Sequence, residues 1–126
     1  MIDIKKLTLK EKVGQMIGLA FSGTEYSEEL KMQIEEIGAG LVIYFKDNCI
    51  NPKQIFELNK IINEKSKIPP FISLDQEGGM VARLTSGVVQ TPGAMAISAA
   101  DNSDYAYQLC YDMGVAAEGI KSALES

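Results

Sequence analysis

Two short apolar runs, Gly40-Leu41-Val42-Ile43-Tyr44-Phe45 and Phe71-Ile72-Ser73-Leu74, constrain this chain more than any other feature. The first is apolar throughout, as a strand covered on both faces should be. Helical periodicity lies before, between and after them. Thr8-Leu9-Lys10-Glu11 fits a capping box, and Leu9, Val13, Met16 and Ile17 follow at helical spacing. Gly18 reads as a stop, and Leu19-Ala20-Phe21 as a strand before a Ser22-Gly23 turn. Ser27, Glu28 and Glu29 open a second helix with acids at its positive end. Leu30, Ile34 and Ile37 give that helix one apolar face, and Gly38 and Gly40 bracket its end. Asn51-Pro52 caps a third helix, whose Ile55, Leu58 and Ile62 run toward Ser66. Pro69-Pro70 resets the chain before Phe71. A last helix is expected from Asn102 or Ser103, with Tyr105, Leu109, Met113, Ala116, Ile120 and Leu124 on one face.

Strand and helix alternate through short connections, so the fold class is α/β, built of parallel βα units in a single domain over residues 1–126. Such units form either an open doubly wound sheet or a barrel. A (β/α)8 TIM barrel takes roughly 250 residues. This chain of 126 can hold only part of one, the first three units or so.

The second apolar run ends on Asp75-Gln76-Glu77 and then Gly78-Gly79. In both architectures the carboxyl ends of parallel strands carry the ligand site. Asp75, one residue past the strand, should point into that site, and Arg83 could return a guanidinium to the same space. The glycines allow a positive φ or a close backbone approach to a ligand. A carboxylate that accepts and a guanidinium that donates suit a polyhydroxylated ligand. Two readings stay open: the pair binds a ligand, or the two side chains simply pair with each other across a tight turn. No GK[ST] follows the glycines and no GxGxxG occurs, so this is neither a phosphate loop nor a dinucleotide fingerprint.

Composition removes other classes. The net charge is −5, from 12 basic and 17 acidic side chains, and no basic run exists, which disfavours a nucleic-acid partner. Apolar stretches are too short to cross a bilayer, and the first residues lack the apolar core of a signal peptide, so no membrane partner is expected. Cys49 and Cys110 read as buried free thiols in a reducing compartment, hence a cytoplasmic chain. Histidine is absent, so Ser-His catalysis and histidine metal ligands are excluded within these residues. No cofactor or metal is called for.

LDQEGGMVARL followed by TPGAMAIS resembles the signature segment of glycoside hydrolase family 3, in its NagZ-like β-N-acetylglucosaminidase branch. LTLKEKVGQMIGLAF is similar to that family's first helix and strand, and IGAGLVIYFKDN to its second strand and loop. The resemblance covers roughly residues 7 to 114 and departs at Met80, where the family has arginine. It implies a (β/α)8 exo-hydrolase of β-linked N-acetylglucosamine, as in peptidoglycan-derived sugars, acting with retention. It also implies that Asp75 and Arg83 are substrate contacts for a saccharide's terminal residue.

Retaining glycosidases need a nucleophile and an acid/base. The family places its acid/base in a KHFPGHGD-like His-Asp loop and its nucleophile on a later strand, and neither segment is present here. Ser103-Asp104 opens a helix, where capping explains both, and Glu77 is not the family's catalytic acid. The expectation is therefore no catalytic residue in this chain, a truncated piece of a hydrolase that is inactive alone. The alternatives are a small carbohydrate-binding or regulatory module without catalysis, and a flavodoxin-like domain with an unrelated ligand. Codons for the His-Asp loop beyond residue 126 would mark a fragment. Three strands cannot close a barrel, so an open sheet edge and an uncovered apolar face are expected to drive homo-oligomer formation. The competing expectation is an open sandwich with the last helix folded over that face.

Overall fold

The computed structural model describes residues 2–122, with side chains to residue 115. Helix α1, Leu9–Gly14, starts on the expected capping box: the Thr8 N–H donates to Glu11 Oε2 at 2.7 Å, and the Glu11 N–H to Thr8 Oγ1 at 3.2 Å. It stops at Gly14 rather than running to Ile17. A Cβ at Gly14 would lie 2.3 Å from the Ile37 carbonyl oxygen, so this turn is pressed against neighbouring backbone. The expected apolar face is not buried, since Leu9, Val13 and Met16 are exposed. Helical spacing decides which side chains share a face, not whether anything covers it.

Strand β1 is Gly18–Ala20, displaced by one residue from the expected Leu19–Phe21. Gly18 pairs with Leu41 instead of ending a helix, and Phe21 leaves the strand to enter the core edge-on to Tyr44, 5.1 Å between ring centroids. Helix α2, Glu28–Lys31, capped by Ser27, widens into a π-helix over Met32–Ile37 and ends at Gly38 with φ +69°. Strand β2, Leu41–Tyr44, follows. Helix α3, Pro52–Lys65, is capped by Asn51 as expected and closes at Ser66. Strand β3 is Phe71–Leu74.

The strands form a parallel sheet in the order β1-β2-β3, with Val42 beside Ile72 and Tyr44 beside Leu74. Val42 and Tyr44 are fully buried, with Ile72 and Leu74 packed beside them, against Leu30, Ile34, Ile55, Leu58 and Ile62 of the helices. Burying each such side chain contributes about 1.5–3 kcal/mol, so this face carries the core. The other face is poorly covered: Phe71, level with Leu41, is 81% exposed. Three parallel βα units in sequential strand order make part of a (β/α)8 barrel.

Two elements were not expected. An antiparallel ribbon joins β4, Gln76–Gly78, to β5, Val81–Ala82, and helix α4 spans Ala94–Ala99. Helix α5, Ser103–Ser122, starts where expected, but its cap is Asn102, whose Oδ1 accepts from the Tyr105 N–H at 3.0 Å. Tyr105 is exposed, while Leu109 and Met113 are half-buried; the calls on Ala116, Ile120 and Leu124 lie outside the described residues. Over its described residues helix α5 packs against α3 and α4, where the sandwich expectation would set it over the open face. Cys49 and Cys110 are free, but only Cys49 is partly buried. Cys110 is exposed on α5 near Tyr107 and Tyr111, against the expectation of two buried thiols.

Candidate functional site

Parallel strands put the loops after Ala20, Tyr44 and Leu74 on one rim. Asn48 ties the first two loops together and is 1% exposed. Its Nδ2 donates to the carbonyls of Phe21 at 2.9 Å and Gly23 at 2.8 Å, while its Oδ1 accepts from the Phe45 N–H at 2.8 Å. Gln54 adds a bond from Nε2 to the Thr24 carbonyl at 2.8 Å.

Asp75 stands directly after β3 on this rim, and the hairpin returns Arg83 to it. Arg83 Nη2 donates to Asp75 Oδ2 at 3.0 Å. Arg83 thus meets Asp75, as one of the two sequence readings holds, while the Asp75 side chain stays 50% exposed. The guanidinium carbon lies 5.6 Å from the Phe45 ring centroid, a cation–π arrangement that fixes the guanidinium beside the β2 loop. Arg83 Nε is buried and has no partner among the described residues, a donor whose desolvation costs about 1–3 kcal/mol.

The glycines serve the protein's own packing. Gly78 has φ +84°, and a Cβ there would lie 2.3 Å from Thr91 Oγ1. The Gly79 N–H donates to the Thr91 carbonyl at 2.9 Å. The Gly-Gly turn therefore docks on the Thr91-Pro92-Gly93 segment, and Thr91 Oγ1 donates in turn to Met113 Sδ of α5 at 3.2 Å. Met80, at the tip of the turn, is fully exposed. Glu77 is exposed too.

Sequence reasoning missed Phe45 and Gln76 as site residues. In sequence Phe45 reads as the end of a strand, on the same side as Leu41 and Ile43; in the structure it lies just past β2 and is exposed. Gln76 Oε1 accepts from the Arg83 and Leu84 N–H groups. Cys49 lines the same loop, its Sγ donating to the Phe45 carbonyl at 3.2 Å. Burial pushes its thiol up, against the opposing pull of the Arg83 charge, so it stays protonated at neutral pH.

A separate cavity of about 220 Å³ lies at the other ends of the strands, walled by Glu11, Gln15, Gly38 and Lys67. Glu11 and Lys67 form an ion pair there. Among the described residues no cluster of metal-ligating side chains occurs, and no helix is long and apolar enough to cross a membrane.

A model of the Glycosyl hydrolase family 3 N terminal domain matches residues 8–124. A beta-hexosaminidase of Vibrio cholerae serotype O1 is 36% identical over 84 residues, which is 67% of this chain and 26% of that protein. A glycoside hydrolase family 3 beta-N-acetylglucosaminidase from Paenibacillus sp. str. FPU-7 superposes with TM-score 0.85 at 38% identity, over 90% of this chain and 22% of its own. NagZ from Neisseria gonorrhoeae, solved in complex with N-trifluoroacetyl-D-glucosamine, matches 60% of this chain and 22% of its own at 26% identity and TM-score 0.56. The chain thus spans about a quarter of the length of such relatives, 26% and 22% for the first two. With its motifs, its parallel units and its match over residues 8–124, the chain belongs to glycosyl hydrolase family 3, within that family's N-terminal domain.

Proposed function

We propose that this chain supplies one wall of the sugar site of a β-N-acetylglucosaminidase, with Asp75 and Arg83 contacting the terminal N-acetylglucosamine residue. The observation that carries this reading is the Asp75 carboxylate, which stays half exposed at the carboxyl end of β3 even while Arg83 bonds to it at 3.0 Å. Asp75 accepts from sugar hydroxyls, and the guanidinium donates to hydroxyl or acyl oxygens. The names of the relatives support the substrate class. Peptidoglycan-derived saccharides and a cytoplasmic setting belong to the same proposal, the latter supported by two free cysteines.

The chain binds without hydrolysing, because retaining hydrolysis needs a nucleophile and an acid/base on opposite sides of the anomeric carbon. Asp104 sits in the first turn of α5, far along the chain from the pair, and Glu77 is exposed on the hairpin. The test is calorimetric. N-acetylglucosamine should give saturable heat with the native chain and none with Asp75→Ala, and an aryl β-N-acetylglucosaminide should show no turnover. Equal binding by both proteins, or turnover that survives repurification and vanishes in Asp75→Ala, would overturn the reading.

A further inference from the structure

Gln76 is next to Asp75 in sequence and bonds across the hairpin to the segment that carries Arg83. Its Oε1 accepts from the backbone N–H groups of Arg83 at 2.9 Å and Leu84 at 3.1 Å, and its Nε2 donates to the Leu84 carbonyl at 3.0 Å. The backbone ladder of the ribbon ends with Gln76 opposite Ala82. The carboxamide continues it: one planar group accepts and donates to the strand beyond Ala82, as a backbone peptide would. This extension reaches the α-carbon from which the guanidinium hangs.

The geometry points to Gln76 as the positioning residue for Arg83, holding its guanidinium ready for the sugar; this rests on reading Asp75 and Arg83 as sugar contacts. The guanidinium is fixed at its far end by Asp75 at 3.0 Å and across its face by Phe45 at 5.6 Å. Without a fixed backbone origin those two contacts still allow the long side chain to swing. Glutamate offers the acceptor but no donor for Leu84, and asparagine is one methylene too short to reach. The amide and its length are both needed. Preorganisation of this kind improves binding by lowering the ordering cost, not by adding a contact to ligand.

The test compares Gln76→Leu and Gln76→Asn with a control, Gln90→Leu. Gln90 Nε2 also donates to the Leu84 carbonyl, at 3.0 Å, but makes no bond to Arg83, so its loss loosens the same loop without freeing the guanidinium. Relaxation of the Arg83 side-chain Nε signal is measured without sugar, alongside the affinity for N-acetylglucosamine. Both Gln76 variants should mobilise that signal and weaken binding about ten-fold, the loss expected for one part-buried hydrogen-bonding group, while Gln90→Leu does neither. An Arg83 signal as rigid in a folded Gln76 variant as in the native chain overturns the positioning role. So does equal weakening by the Gln90 control. Failure of the native chain to bind the sugar instead overturns the reading of the site, and the relaxation comparison still decides what Gln76 does.

Discussion

At the scale of single residues, the Asp75 carboxylate that pairs with Arg83 is half exposed, and a pair with so exposed a partner contributes only about 0–1 kcal/mol to stability. Asp75→Ala should therefore leave the thermal midpoint almost unchanged while abolishing sugar binding. A large loss of stability would show instead that the pair is there to hold the hairpin. Glu11, on the opposite rim, carries the clearest pH signal. Bonds from Lys67, then from the Thr8 amide and hydroxyl, pull its carboxyl from 4.5 down to about 2. A depressed folded-state pKa adds stability that is fully present above the unfolded value and is lost as pH falls through the folded one. The thermal midpoint should thus decline between about 4.5 and about 2, and Glu11→Gln should remove that part of the decline. An identical profile in the variant would contradict this assignment.

At the scale of elements, Asn48 and Gly78 hold the site's loops in place. Asn48→Ala would leave the Phe21 and Gly23 carbonyls and the Phe45 N–H without their partner in the core. A loss on the order of 2–4 kcal/mol is expected in urea unfolding, from several unpaired groups at about 1–3 each. Gly78→Ala should cost at least as much, since φ +84° and the Thr91 contact both exclude a Cβ. The elements also show what the sequence could tell. Strand β3 was legible to the residue because Pro69-Pro70 sets its start and Asp75 its end. Strand β1 was misplaced by one because Gly18 has no side chain to announce a strand; pairing with Leu41 makes it one. The ribbon was illegible, since Gln76-Glu77-Gly78 has no alternation and its pairing depends on docking against Thr91. Helix α4 lacked any signal at its start, where Gly93 offers no side-chain cap. Asp75 and Arg83 were singled out because charge at a strand end is visible in sequence. Phe45 and Gln76 were not, because their roles arise only when the hairpin folds back.

At the scale of the whole molecule, among the described residues the sheet has a helical layer on one face and little on the other. Strand β3 forms one edge of the sheet, and Phe71 on its open face is 81% exposed. We propose that copies of the chain associate through this edge and face, which are costly to leave in water. Sedimentation equilibrium at about tens of micromolar should reveal dimers or larger species. A clean monomer with cooperative unfolding would contradict that. The central claim, however, concerns the rim: the carboxyl ends of these strands hold a sugar through Asp75 and Arg83. Amide chemical-shift mapping of an N-acetylglucosamine titration tests it most directly. Saturable shifts should cluster at Phe45, Asp75, Gln76 and Arg83 and disappear in Asp75→Ala. No saturable shift, or shifts gathered at Glu11 and Lys67 on the opposite rim, would contradict the account.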